Sequence, residues 1–167
     1  MRVFFDTEFS RFRDGRLLSV GLVADDDREC YVELPGDGVH RDVSDFVRAH
    51  VLPQFGRVPD SEAGTLAGLG ERVMRFLEAL GQPLQLCFDY KLDRRFLEEA
   101  LHFTRGWRAL QASAPFVDVA GEANSEGSRL AMAASYLCST PLKEHHALAD
   151  ARALRAGWLA HTADRSR

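Results

Sequence analysis

Asp6-Thr7-Glu8 closes an apolar run that begins at Arg2, and residues two apart on a strand point to the same face. Two carboxylates therefore converge. They are either solvated acids at a strand end or part of a site for a hard divalent cation, which prefers oxygen ligands. Asp150 raises the same choice near the other end of the chain, beside a stripe formed by Ala147, Ala151, Leu154 and Trp158 on a helix face that should be packed. A carboxylate there needs an ion-pair partner or a metal, because a bare buried charge is strongly unfavourable. His145 would stand about 140° round a helix from Asp150. It therefore belongs on the loop before that helix, from which its imidazole can reach over the site without ligating. Asp93 lies in Phe88-Asp89-Tyr90-Lys91-Leu92-Asp93, where a strand hands over to a helix. It is either the helix N-cap or a further acid of this constellation.

The elements that must position these residues are legible from periodicity. Arg2–Asp6, Arg16–Ala24 and Glu29–Leu34 read as strands joined by short polar turns, which makes an antiparallel meander. Val43, Phe46, Val47 and Val51 then repeat at helical spacing until Pro53, and Leu66 to Leu80 does so more fully before Gly81. A fourth strand, Pro83–Phe88, leads into a helix over Asp93–Phe103, and Pro115–Val119 is a fifth strand. Arg129–Cys138 and Ala147–His161 are the last helices. The expected fold is α/β: a mixed five-stranded sheet, begun by the three-stranded meander and continued by alternating helices and strands, with helices flanking it. Residues 1–161 form one domain and 162–167 a short tail.

The chain has 167 residues, 46% of them hydrophobic and 28% charged, which suits a single core. Cys30, Cys87 and Cys138 are far apart and odd in number, so neither a disulfide framework nor a zinc knuckle is expected, and a reducing cytoplasm fits best. The N-terminus meets Asp6 too early for a signal peptide, and no apolar run approaches the roughly 20 residues of a membrane helix. A formal charge of -4 argues against a strong nonspecific nucleic-acid binder, which neutralises phosphates with a surplus of Lys and Arg. An enzyme that grips only a few terminal nucleotides remains compatible, since bound metal neutralises an acidic site.

Taken in order, the motifs resemble those of the DEDDh 3′-to-5′ exonucleases, the superfamily of oligoribonuclease, RNase T and the proofreading subunit of bacterial replicative polymerase. Asp6-Thr7-Glu8-Phe9 is similar to its first motif, Leu92-Asp93-Arg94-Arg95-Phe96-Leu97 to its second and His145-His146-Ala147-Leu148-Ala149-Asp150-Ala151 to its third. The family places Asn four residues before the second-motif Asp, where this chain has Asp89, so Asp89 is the second-choice carboxylate. Phe96 and the following helix align on Asp93. Ser19-Val20-Gly21-Leu22-Val23 and Val51-Leu52-Pro53 also resemble a smaller branch of stand-alone bacterial exoribonucleases.

The resemblance implies a ribonuclease-H-like fold and two Mg2+ or Mn2+ ions per active site. Asp6 would bridge them, Glu8 and Asp150 would complete the site of the nucleophilic water, and Asp93 would hold the arrangement from the opposite side. His145 would accept the proton of the water as general base. His146 is expected on the surface or a loop, and His40, His50, His102 and His161 are expected to be solvated or packed. Phe9 is a base-stacking platform or a core residue. The backbone around Thr7 and Glu8 is the expected contact for the terminal sugar, and Lys91, Arg94, Arg95 and Lys143 contact phosphates or form a solvated face. The expected substrate is single-stranded nucleic acid, RNA favoured over DNA, and the expected assembly a homodimer. A proofreading subunit is one rival, for which a longer tail would be expected. A catalytically silent binding module is the other, and clustered acids speak against it.

Overall fold

The computed structural model describes residues 1–36, 41–81 and 83–165; His40 and residues 166–167 of the expected tail lie outside them. Its five-stranded sheet has the order β3-β2-β1-β4-β5. Strand β1 (Arg2–Phe9) pairs antiparallel with β2 (Leu17–Ala24), and β2 with β3 (Glu29–Glu33), which gives the meander. Strands β4 (Gln85–Phe88) and β5 (Phe116–Asp118) continue the other edge in parallel. The architecture is α/β with a mixed open sheet flanked by helices, as periodicity indicates.

Alternation along β1 distributes its apolar residues over both faces. Val3 and Phe5 join the core formed with α1 (Leu66–Leu80) and α2 (Lys91–Leu101), through Leu69, Val73, Phe96 and Leu97. Phe4 points the other way, into a cluster with Leu154 of α6 (Ala147–Asp164). Because α6 is pressed against β1 and β2 on one side and α5 (Glu126–Cys138) on another, its buried residues include Leu148, Ala149 and Ala153 as well as the anticipated Ala147, Ala151 and Leu154. A single stripe understates it. Small residues all round let the helix sit between two layers.

Several boundaries depart from expectation. Strand β1 runs on through the acids to Phe9, because β2 keeps pairing with it as far as Phe9↔Leu17. The segment ending at Pro53 is not one regular helix. It is a π-helical turn, Val47–Val51, followed by a 3-10 turn, Leu52–Gln54, that contains the proline near its start, where no backbone N–H is required. Phe46, expected on the packed face, is 50% exposed. Helix α2 begins at Lys91, so its N-cap is Tyr90 and Asp93 lies inside the first turn, which removes the capping role for Asp93. Helices α3 (Trp107–Ser113) and α4 (Ala120–Ala123) were not anticipated, being too short to establish a period. Ser125 caps α5 by accepting from the Ser128 amide, so that helix starts before Arg129. Helix α6 continues to Asp164, and 162–164 are helix rather than tail. No helix among the described residues is long and apolar enough to cross a membrane.

Candidate active site

Strand β4 pairs with β1 only along Arg2, Val3 and Phe4, so the last residues of β1 overhang the end of β4. The chain leaving β4 turns through Asp89 and Tyr90 into α2 at this end. Carboxyl ends of adjacent parallel strands are where open α/β sheets form ligand crevices. Here the overhang carries Asp6, Thr7 and Glu8.

Parity decides which layer each of them meets. Asp6 and Glu8 share the face of Phe4 and look toward α6, which supplies Asp150. The approach is close because Asp6 pairs with Gly21 across the sheet, and a side chain at Gly21 would collide with the backbone of Ala147 and Leu148. Thr7 shares the opposite face with Phe5, where its hydroxyl donates to Asp93 Oδ1 at 2.7 Å. Asp93 is thereby fixed from α2. It is 2% exposed, beyond what a solvated acid would show.

Carboxylate oxygens of Asp6, Glu8 and Asp150 lie within 4.8 Å of one another, and so do those of Asp6, Asp89 and Asp93. Oxygens so placed can share a cation bonded at about 2.0–2.6 Å to each. Asp6 belongs to both groups. Burial pushes Asp6 and Glu8 well above the usual carboxylate range, and the neighbouring acids add to it. Burial likewise raises Asp93 and Asp150 to about 7, against the opposing pull of the Thr7 hydroxyl on Asp93 and of the Tyr136 hydroxyl and His145 amide on Asp150. Asp89 is raised as well, chiefly by burial. A cation would relieve this repulsion. The donor set fits one: all oxygen, acidic, and including Asp150 Oδ1, which is buried without a hydrogen bond of ordinary geometry.

His145 stands on the loop before α6, as expected, and lines the same cleft as Asp6, Glu8, Asp93 and Asp150. Its backbone lies in the left-handed region, φ +66°, and its N–H donates to Asp150 Oδ2 at 3.0 Å. His146 corrects an expectation. It is 1% exposed, caps α6 by accepting from the Leu148 amide at Nδ1, and stacks on Tyr31 with centroids 4.4 Å apart. Burial lowers its pKa to about 4, so it is a neutral structural group. His50 and His102 are exposed and His161 half-buried.

The cleft holds about 500 Å³, and its rim is aromatic. Phe12, Phe46 and Tyr90 are 71%, 50% and 47% exposed around it, although the surface elsewhere has polar residues available. Phe9 lines the cleft and stacks on the core residue Phe96 at 5.0 Å, so it is packed against the core as one of its two expected readings has it. Phe46 meets the His145 ring edge-on at 4.8 Å. Sequence reasoning missed Phe12, Phe46 and Tyr90 as site residues; Phe46 was masked by its helical spacing. Lys91, Arg94 and Arg95 line a neighbouring depression with Phe116, where Arg94 pairs with Glu98. Lys143 is exposed.

Compared with protein-family models and with curated proteins, the chain matches none.

Proposed function

We propose that this protein is a metal-dependent 3′-to-5′ exonuclease of the DEDDh kind, releasing nucleoside monophosphates from single-stranded nucleic acid, with RNA favoured over DNA. The observation that carries the reading is the pair of carboxylate groups sharing Asp6 in one cleft with His145. The mixed sheet supports the ribonuclease-H-like fold that the motif resemblance implies.

Asp6, Glu8, Asp93 and Asp150 would hold two Mg2+ or Mn2+ ions, with Asp89 beside them. Bound there, such ions supply Lewis acidity to the phosphoryl oxygens and acidify water. Hydrolysis joins a water oxygen to phosphorus and breaks the bond from phosphorus to the 3′ oxygen of the preceding nucleotide, which takes up a proton as it leaves. His145, at the rim, accepts the proton that the water gives up. Phe9, Phe12, Phe46 and Tyr90 offer faces on which terminal bases stack without regard to sequence. The cleft is acidic and small, so grip is confined to the last few nucleotides.

The test uses 5′-labelled RNA and DNA oligomers of matched sequence, with and without a 3′-phosphate, in Mn2+, Mg2+ or chelator. Stepwise shortening from free 3′ ends, only with metal, is expected. Equal decay of blocked ends, or cuts in a circular strand, would sink the exonuclease reading; faster loss of DNA would overturn the substrate preference alone. Pairing of two copies also belongs to the reading, and α5 leaves Leu130 and Leu137, 68% and 81% exposed, for such a contact. A monomeric mass by light scattering would count against it.

A further inference from the structure

The left-handed backbone of His145 needs an explanation, because a residue with a Cβ is disfavoured there and adopts it only when its surroundings impose it. The loop around it is held by one side chain from far away in sequence. Gln54, 4% exposed at the end of the 3-10 turn, directs Nε2 at the carbonyls of Glu144 at 2.8 Å and His145 at 3.0 Å, and also at that of His50 at 3.1 Å. Its Oε1 accepts from the Lys143 amide at 2.8 Å. Two amide protons are thus shared among three carbonyls, and the whole primary amide is used. Three successive backbone units, from Lys143 to His145, are fixed by it.

We propose that Gln54 is a positioning residue that holds His145 over the acidic cleft, an inference that rests on the exonuclease reading for its catalytic consequence. Glutamine alone meets the requirement. It reaches the loop and offers both donor and acceptor, whereas glutamate would set oxygen against the two carbonyls and methionine would fill the space with no hydrogen bond. Arg57 adds a parallel tie between the same two segments, donating to the Pro141 and Pro53 carbonyls at 2.7 and 3.0 Å. The 3-10 turn that ends in Gln54 continues the π-helical turn Val47–Val51, whose N-cap is Phe46, and the His145 imidazole rests against the Phe46 ring. Gln54 therefore ties the His145 loop to the segment that carries Phe46. Once it is removed, φ of His145 can relax toward ordinary values, the imidazole turns away, and the bond from the His145 N–H to Asp150 is lost.

The experiment compares the full-length protein with Gln54→Met and Gln54→Glu, the second keeping side-chain shape and an acceptor for Lys143 should the first fail to fold. Amide hydrogen exchange is measured without metal or nucleic acid. Faster exchange at His145 in both variants, and at Lys143 in Gln54→Met, with the amides of Leu154 and Ala153 in α6 unchanged, is expected; unchanged His145 exchange in the folded variants would overturn the proposal whatever the protein's activity. With Mn2+ and a short single-stranded RNA, kcat should fall by about tenfold to a hundredfold, the scale of a misplaced catalytic group, with KM within about twofold. Added to His145→Ala, the Gln54 substitution should slow turnover no further. A second, independent loss in that background would mean that Gln54 acts on stability alone and would overturn the proposal. Wild-type protein inert toward RNA and DNA would remove the exonuclease reading instead, leaving the exchange result to decide whether Gln54 holds the loop.

Discussion

Asp93 and Asp89 differ in how they are held, and that difference predicts how each behaves when removed. Asp93 is buried and takes a hydrogen bond from Thr7, so its carboxylate is oriented before any ligand arrives. Asp89 is half-buried and reaches the same group from the turn before α2. On the proposed exonuclease function, Asp93→Ala should therefore abolish activity, and Asp89→Ala should weaken it by about tenfold, seen in turnover of labelled RNA and in Mn2+ affinity by calorimetry. The reverse order of damage would make Asp89 the principal ligand. His145→Ala should slow hydrolysis by roughly a hundredfold or more, with Mn2+ affinity nearly unchanged, as expected for loss of a general base. Equal rates across neutral pH would remove His145 from the mechanism.

Helix α6 reaches the sheet through the absence of a side chain at Gly21, and this close approach brings Asp150 to Asp6. Gly21→Ala would place a methyl group against the Ala147 and Leu148 backbone, which cannot rotate aside as a side chain would. Overpacking of this kind costs about 1–3 kcal/mol. Both thermal stability and turnover should fall, the second more steeply, since the displaced helix carries Asp150. A Gly21→Ala protein with unaltered Mn2+ affinity would show that α6 tolerates the shift. His146→Ala acts on the same helix differently. Loss of the cap costs about 1 kcal/mol, and loss of the Tyr31 stack adds to it, so the melting temperature drops by several degrees while turnover of the folded protein changes little.

Across the whole molecule, acids buried without a cation make stability depend on pH, and the proposed metal binding would make it depend on cations as well. In the metal-free fold Asp93 and Asp150 titrate at about 7, while an aspartate of the unfolded chain ionises near pH 3.9. The folded state binds more protons between these values, so this contribution is complete below about pH 4 and is lost as pH rises through 7. His146, lowered to about 4, has the opposite sign, and its contribution is fully present above its unfolded value near 6.5. Between about pH 6.5 and 8 the acids govern. The metal-free melting temperature should fall by several degrees over that range, and millimolar Mg2+ or Mn2+ at pH 8 should restore it by binding the folded state alone. A melting temperature that rises with pH there, or ignores the metals, would argue against a cation site.

The sequence by itself determined the meander, the alternating elements after it and the convergence of Asp6 with Glu8, because strand period and apolar spacing are local properties of the chain. It also placed His145 off the helix, since the angle between residues five apart excludes a shared face. What it left open for Asp93 and Asp150 was a choice between partners, and a partner is a matter of distance in space. Tertiary structure decided that Thr7 holds Asp93, that Gly21 admits α6 and Asp150, and that Gln54 reaches the His145 loop, all contacts between segments far apart in the chain. It also reversed two local readings. His146 carries no apolar pattern that marks burial, yet it is enclosed by Tyr31 and the α6 cap; Phe46 has the spacing of a core residue, yet it stands exposed at the rim as the N-cap of a π-helical turn, and helical spacing predicts a face only where the helix is regular.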